Sequence, residues 1–391
     1  MNQRIEQLDS IRGLAAFVVF MCHLPLIPIL KDELSISGNI ALRASGLVNG
    51  HGSVILFFVL SGFVLSIPFF NKKEIDYTPY LIKRIFRIYT PYLVAITFAI
   101  ILSQLFWNIK VDEIGKWPLW ETPLNLNLII EHIYLIGNIH SEPFNGVIWS
   151  LIHELRISLI FPFVLLLVNR LDWKLNVIVC CFLSEVSGLN NVFGFQVSNG
   201  YHITYFHTIH YLSIFILGAL LAKHRTEILS FYYTKSVSIK CTFLIISFLM
   251  YNLSETLTGL IYRLTEYKII SVYSLMIVEY GMALGSLGIL LTAIGSSKIS
   301  KVLMKRPISF LGKISYSLYL YHLPVLKACI YLFHKILPIW VICVVAVPLV
   351  LIVSSLSWYC IENPSMKLGK GIANKIIGKR KNASKEFKKF A

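Results

Sequence analysis

Apolar residues dominate this 391-residue chain in long runs that short polar segments separate. Many of the runs approach the roughly 20 residues that a helix needs to cross the ~30 Å hydrocarbon core of a bilayer. The pattern predicts an all-α integral membrane protein of about ten transmembrane helices. These form one domain, residues 1–365, followed by a basic tail, residues 366–391. The predicted spans lie near residues 11–30, 52–70, 88–106, 147–168, 174–189, 205–223, 238–252, 269–295, 314–334 and 338–360.

One further apolar run, residues 124–139, is shorter and carries several polar side chains. A run of that length does not cross a bilayer as a helix. It is better explained as an interfacial helix in a long outer loop.

The charges support a membrane location and predict an orientation. Only 14% of the residues are charged and 56% are apolar, whereas roughly 25% are charged in a soluble domain. With the N-terminus inside, 26 basic residues fall on the inner side of the predicted spans and seven on the outer side. The positive-inside rule then places both termini in the cytoplasm. The net charge of +16 is therefore expected to face anionic lipid rather than nucleic acid.

The first predicted span contains two ionisable residues, Arg12 and His23. They are eleven residues apart, and at 100° per residue they lie on one stripe of a helix. Asp9 precedes Arg12 by three residues and can pair with it. His23 is either a packed histidine that hydrogen-bonds a neighbouring helix or a functional group. Its location favours function, because ionisable residues inside a membrane are rare and mark active positions.

Glu154, in the fourth span, is predicted to lie at about the same depth as His23. A carboxylate at that depth can orient the imidazole of His23 and raise its basicity, so we expect the two to act as a catalytic pair. The alternative is a structural ion pair between Glu154 and either Arg156 or Arg263.

The third candidate is a pair of arginines, Arg84 and Arg87, at the inner start of the third span. At a spacing of three residues they share a helix face and can clamp a phosphate group bidentately. The seven cysteines are odd in number and lack metal-type spacing, so neither disulfides nor a metal site is expected. Phosphate-loop, serine-elbow and zinc-protease motifs are also missing.

Several ordered blocks along almost the whole chain resemble the acyltransferase-3 family of bacterial membrane O-acyltransferases. The blocks are Leu8–Gly13 with His23, Leu56–Phe63, Arg84–Arg87 with Pro91, Trp149–Leu151 with Glu154 and Pro162, Leu311–Leu320 with His322, and Glu362–Pro364.

The resemblance implies a role for each candidate. His23 would be catalytic, Arg12 an essential arginine of the first helix, and Arg84 and Arg87 the binding pair for acyl-CoA. The donor would be cytosolic acyl-CoA, with acetyl as the usual group, and no metal would be needed. The acceptor would be a carbohydrate at the bacterial cytoplasmic (inner) membrane. The fourth span departs from the family pattern at Arg156, Ile157 and Ser158, which bears on the type of acceptor.

Other residues and other functions stay open at this point. His322, Ser315 and Tyr316 either line the donor path or hold helices together. The block around Ser61 and Gly62 is expected to allow close helix packing rather than catalysis. The principal alternative function is a transporter or flippase that uses the same buried charges as a substrate pathway. A structural partner in polysaccharide assembly is the third possibility. The residue pattern does not predict an oligomeric state.

Overall fold

The computed structural model describes residues 5–72, 76–107, 109, 111 and 119–390, and across these ranges the protein is all-α. The helices are α1 (Glu6–Cys22), α2 (Leu26–Glu33), α3 (Ile36–Ala44), α4 (Gly50–Lys72), α5 (Tyr77–Arg84), α6 (Thr90–Phe106), α7 (Leu126–Tyr134), α8 (Glu142–Asn145), α9 (Trp149–Arg170), α10 (Trp173–Phe193), α11 (Tyr205–Lys223), α12 (Arg225–Thr234), α13 (Val237–Thr265), α14 (Lys268–Val272), α15 (Ser274–Gly295), α16 (Ser297–Leu303), α17 (Arg306–Phe333), α18 (Ile339–Ser357) and α19 (Asn363–Phe390). Two π-helical turns, Ile85–Tyr89 and Trp358–Glu362, and one 3-10 turn, Gly146–Ile148, join neighbouring helices.

Within this part of the chain, eight helices are long and apolar enough to cross a membrane. They are Gly50–Asn71, Tyr77–Phe106, Glu142–Arg170, Trp173–Phe193, Tyr205–Lys223, Val237–Thr265, Ser274–Gly295 and Ile339–Gly378. A multi-pass membrane protein is therefore supported. The ninth span predicted from the sequence, 314–334, corresponds to α17, which is 28 residues long but carries many polar side chains.

The first predicted span, 11–30, is wrong as a single helix. Helices α1 and α2 meet at a bend of 70°, and together they form at most one span. Pro25 lies at the bend. Proline lacks a backbone N–H and disfavours helical geometry in the residue before it. As a result, His23 lies at the C-terminal end of α1 rather than inside a continuous helix.

Helices α1 and α17 form the tightest crossing near the predicted chemistry. A Cβ atom built on Gly13 would lie 2.3 Å from the backbone nitrogen of Gly312, and one on Gly312 would lie 2.6 Å from the carbonyl oxygen of Asp9. Glycine at both positions lets the two backbones touch. This contact fixes the register between the helix that carries Arg12 and the helix that carries His322.

Helices α4 and α11 pack in the same way. A Cβ atom on Gly62 would lie 2.0 Å from the carbonyl oxygen of Phe215, and one on Gly218 would lie 2.1 Å from that of Val59. The predicted packing role of Gly62 is confirmed, and its neighbour Ser61 faces the cavity described below.

The run 124–139 contains the short helix α7, as expected for a segment that does not span. The predicted tail continues as helix α19, which begins before residue 366 and packs against α5. The Ser365 hydroxyl donates to the carbonyl of Phe86 at 2.5 Å, and Gly369 lies against the ring of Phe86. The inward orientation of both termini stays a prediction. Arg4, Lys73, Lys110 and Lys116, four of the basic residues used for it, lie outside the described residues.

Candidate active site

A cavity of about 840 Å³ opens between α1, α4, α5, α9 and α17. That volume is at the upper end of the range for small-molecule sites. Its charged lining comprises four basic and two acidic residues: Arg12, Lys83, Arg84, Arg87, Asp76 and Glu154. The structure therefore brings together four of the five predicted site residues around one positively charged space.

Arg12 reaches this cavity from α1. Its guanidinium pairs with Asp9 at 3.1 Å, as the spacing of three residues predicts. Arg84, Arg87 and Glu154 are close enough to act on Arg12 electrostatically. The cavity therefore gathers three guanidinium groups and the ammonium group of Lys83 against two carboxylates, an excess of positive charge that suits an anionic ligand.

Glu154 pairs with Arg84 rather than with His23. Arg84 Nη2 donates to Glu154 Oε1 at 2.9 Å, and the Ser61 hydroxyl donates to the same oxygen at 3.3 Å. Arg84 also donates twice to Ser158 Oγ, from Nη2 at 2.7 Å and from Nε at 3.2 Å. The expected contact between His23 and Glu154 is thus replaced by an ion pair between Glu154 and Arg84. The basic partner is neither Arg156 nor Arg263, the two arginines that the sequence offers as alternatives.

The two predicted phosphate-binding arginines differ in their surroundings. Arg84 is buried and committed to Glu154 and Ser158, whereas Arg87 is exposed. No hydrogen bond or ion pair joins Arg87 to another described residue. The π-helical turn Ile85–Tyr89 contributes to the difference, because its wider turn moves Arg87 off the face that a regular α-helix would share with Arg84. Arg87 is therefore the guanidinium available to a ligand.

His23 lies outside the charged wall of the cavity, beside His322 of α17. The two imidazole rings have centroids 5.2 Å apart. His23 Nδ1 lies 2.7 Å from the carbonyl oxygen of Val19. Because a carbonyl oxygen only accepts, Nδ1 carries the proton, and in the neutral ring Nε2 keeps its lone pair. A backbone carbonyl of its own helix thus orients His23 in the tautomer that a general base needs.

His322 shows the same arrangement. Its Nδ1 donates to the carbonyl of Leu318 at 3.1 Å, and its side chain is buried. His322 Nε2 has no hydrogen-bond partner among the described residues. Two imidazoles of matched tautomer therefore lie side by side at the crossing of α1 and α17.

Helix α17 links these histidines to the cavity. Ser315, Tyr316 and Tyr319 line the cavity wall, and His322 follows one turn later. Tyr316 also donates to the carbonyl of Ile88 at 2.7 Å. Tyr316 therefore lines the cavity wall and also ties α17 to the π-helical turn Ile85–Tyr89, while a role in the donor path stays a prediction.

Arg156 has a structural environment. Its guanidinium donates to the carbonyls of Ile136, Gly137 and Ile203 at 2.6–2.9 Å and lies over the ring of Tyr205 at 4.3 Å. It ties two connecting loops to α9. This accounts for the basic residue at the position where the family pattern differs.

One buried network was missed from the sequence. Glu279 of α15 is fully buried, with His51 Nε2 2.8 Å from Oε1, Tyr211 Oη 3.0 Å from Oε1 and His210 Nε2 2.9 Å from Oε2. His210 Nδ1 is in turn 2.8 Å from Ser184 Oγ. The signal in the sequence that could have revealed this network is Glu279 itself, an acidic residue inside an apolar span. In the described part of the chain, no group of three or more His, Cys, Asp or Glu side chains is arranged to hold a metal ion.

The family model that matches the chain describes an acyltransferase domain and covers residues 5–359. The chain belongs to the acyltransferase-3 family. The match favours an enzyme over the transporter and assembly alternatives, and it confirms the family that the sequence blocks indicated.

Curated relatives of this acyltransferase domain agree with the family. A putative acetyltransferase, ORF330, of Acidianus two-tailed virus is 27% identical over 82% of each chain. The O-acetyltransferase OatA of Staphylococcus aureus (strain NCTC 8325 / PS 47) is 26% identical over 84% of this chain, and the OatA of strain COL matches equally well. The match spans about half, 54%, of the length of OatA. No solved structure matches the chain.

Proposed function

We propose that this protein is an O-acetyltransferase of the bacterial cytoplasmic membrane. It transfers an acetyl group from cytosolic acetyl-CoA to a hydroxyl of a cell-surface or lipid-linked carbohydrate. One observation carries the proposal: α17 lines the basic cavity and, one turn later, places His322 beside His23. A donor held by its phosphates in the cavity would extend its thioester along α17 toward these histidines.

In this proposal, the acetyl-CoA donor binds at the basic wall of the cavity. Coenzyme A carries a 3′-phosphate and a pyrophosphate, and the exposed side chains of Arg87 and Lys83 are available to them. Guanidinium groups bind phosphate oxygens bidentately. Glu154 acts as a positioning residue in this scheme, because its ion pair keeps Arg84 folded into the wall.

The chemical step uses the Nε2 lone pair of the neutral His23 ring. His23 Nε2 removes the proton from the acceptor hydroxyl while that oxygen attacks the thioester carbonyl carbon. The resulting tetrahedral intermediate collapses as the carbon–sulfur bond breaks, giving the ester and the coenzyme A thiolate. The imidazolium of His23 then returns its proton to the thiolate, so the histidine ends in its initial state.

Release of free coenzyme A tests the proposal. Purified protein in proteoliposomes, supplied with acetyl-CoA and saccharide acceptors, is expected to release coenzyme A thiol only when an acceptor is present. His23→Ala is expected to lower the rate by about 10²–10⁴-fold. His334→Ala is the matched control, because His334 Nδ1 lies 3.2 Å from the carbonyl of Ile330, the same type of contact at the end of α17.

Near-normal turnover by folded His23→Ala protein would overturn the mechanism. Transport of a solute without thioester consumption would instead favour the transporter alternative.

A further inference from the structure

Lys327 is the buried charge that the proposed mechanism leaves unused. Its side chain is 1% exposed, and no hydrogen bond or ion pair joins its ammonium group to a residue that the structure describes. The described contact is with an aromatic face, since Nζ lies 5.5 Å from the ring centroid of Trp120. The nearest acid, Glu121, is exposed and forms no ion pair with it. A buried charge without a directly bonded acid is costly and is retained where a ligand supplies the counter-charge.

The wall around Lys327 is rigid. The Trp120 ring stacks with Phe106 and Tyr331, at centroid distances of 6.2 and 5.6 Å and nearly parallel planes. The backbone N–H of Trp120 donates to Tyr331 Oη at 3.0 Å, and its indole N–H donates to the carbonyl of Phe144 at the same distance. These bonds fix the aromatic face against which the ammonium group lies.

A second unpartnered polar group lies on the same side of α17. Asn145 donates to the carbonyl of Leu320 at 2.8 Å, and Leu320 precedes Lys327 by seven residues, on nearly the same helical stripe. Asn145 Oδ1 is buried and has no hydrogen-bond partner among the described residues. The region thus offers an acceptor oxygen for a hydroxyl at Asn145 and a cation for an anion at Lys327, and Leu320, which binds Asn145, is about 10 Å from Lys327 along the axis of α17.

The order of side chains along α17 indicates that Lys327 lies on the acceptor side of the reaction. Tyr316 and Tyr319 face the donor cavity, His322 lies beside His23, and Lys327 lies farther from the donor end. Lys327 is also close enough to act electrostatically on His23. The side of His23 remote from the donor is where the accepting hydroxyl must arrive.

We propose that Lys327 and Asn145 form an acceptor subsite for an acidic saccharide, with Lys327 binding a carboxylate or phosphate and Asn145 a sugar hydroxyl. The inference rests on the proposed O-acetyltransferase function and specifies its acceptor class. Helix α17 would then have three functions in order along its length. It lines the donor cavity, it places His322 beside the catalytic His23, and it carries Lys327, which binds the acceptor.

Matched acceptors test the subsite. The probes are a neutral disaccharide, the same disaccharide with one sugar replaced by its uronic acid, and a monosaccharide phosphate, each with acetyl-CoA as donor. Wild-type protein is expected to show the higher kcat/KM with a charged acceptor. Lys327→Met, which keeps an unbranched side chain one atom shorter and removes the charge, is expected to lower that value by about tenfold to a hundredfold. Its KM for the neutral acceptor and its KM for acetyl-CoA are expected to stay within about twofold of wild type.

The two charged probes separate the sources of the anion, because the acceptor that loses more activity in Lys327→Met identifies carboxylate or phosphate. Lys335→Met is the charge-matched control, since Lys335 is exposed just after α17. Glu121→Gln tests whether Lys327 serves only the nearby exposed carboxylate of Glu121, in which case it would reproduce the Lys327→Met effect. Thermal unfolding confirms that each variant folds.

Calorimetric binding of the uronic-acid disaccharide separates this inference from the proposed function. Binding to wild type that weakens in Lys327→Met supports the subsite even where no acetyl group is transferred, and in that case it is the proposed function that fails. Equal binding to both proteins, or equal losses with charged and neutral acceptors, would overturn the subsite.

Discussion

At the scale of single residues, two arginines three positions apart have different tasks. Arg84 is enclosed by Glu154 and Ser158, whereas Arg87 is exposed at the wider π-helical turn. Sequence spacing treats them as equivalent, because it assumes a regular helix. The contacts of the two side chains show the difference: Arg84 is part of the cavity wall, and Arg87 is available to bind a ligand.

Because of this difference, we expect the same substitution, arginine to lysine, to have different effects at the two positions. Arg87→Lys is expected to raise the KM for acetyl-CoA about tenfold and to leave the acceptor KM nearly unchanged, because lysine cannot bind phosphate bidentately. Arg84→Lys is expected to lower thermal stability as well, since it removes hydrogen bonds to Ser158 and Glu154. Steady-state kinetics in proteoliposomes and thermal unfolding in detergent measure the two effects.

Arg306→Lys serves as the control, because Arg306 is exposed at the start of α17 and has a topological role in the predicted orientation. An unchanged donor KM in Arg87→Lys would leave Arg87 with that topological role alone.

A second residue-scale prediction concerns Glu279. Glu279→Gln removes the negative charge that faces His51, His210 and Tyr211 in a fully buried site. Removing one partner of a buried ionic network commonly costs about 3–5 kcal/mol. A marked fall in the unfolding temperature is therefore expected, measured in detergent.

Glu255→Gln is the matched comparison. Glu255 pairs with Arg43 at the surface, its side chain is 59% exposed, and such pairs contribute little. A Glu279→Gln protein as stable as Glu255→Gln would show that the buried network does not stabilise the fold.

At the scale of helices, the site depends on how closely α1 and α17 approach. Arg12 and His23 belong to one helix and His322 to the other, and the contact between Gly13 and Gly312 sets their relative position. A small shift along either axis would separate the two imidazoles.

Gly312→Ala is expected to destabilise the protein by about 1–3 kcal/mol, the usual cost of overpacking. The added methyl would lie 2.6 Å from the backbone of Asp9, which cannot move as a side chain can. Acetyl transfer is expected to fall further than the folded fraction, because the crossing carries both histidines. Thermal unfolding and coenzyme A release on the same samples measure the two quantities.

Gly371→Ala is the control, since a Cβ at Gly371 meets nothing within 4 Å. Equal effects of the two substitutions would exclude the crossing as the determinant of activity.

At the scale of the whole molecule, the number of crossings determines on which side each end lies. Eight long apolar helices, the bent α1–α2 pair and α17 make ten if each crosses. Ten crossings place both ends on one side, and nine place them on opposite sides. The positions of the two ends therefore report whether the number of crossings is even or odd.

A fluorescent protein fused after residue 391 is expected to fluoresce in the cytoplasm, because the positive-inside rule places the basic segments there. Alkaline phosphatase fused at Gly200, in the loop between α10 and α11, is expected to be active outside. An external C-terminus together with a cytoplasmic N-terminus would mean an odd number of crossings, in which either α17 or the α1–α2 pair does not cross.

The sequence by itself determined the class of this protein and pointed to four residues that the structure gathers around one cavity. Apolar runs indicate membrane helices because the bilayer excludes unsatisfied backbone, and a helix satisfies its own backbone locally. The same local rule predicted the pair of Asp9 with Arg12, and the ordered blocks indicated the acyltransferase-3 family that the family match confirms.

Only the tertiary structure decided how helices meet. It assigned Glu154 to Arg84, placed His322 beside His23, buried Lys327 against Trp120 and joined Glu279 to two histidines. These contacts connect residues from about 70 to more than 200 positions apart. Periodicity along one helix reports which face a residue occupies, but the register between helices comes from close backbone contacts such as Gly13 with Gly312.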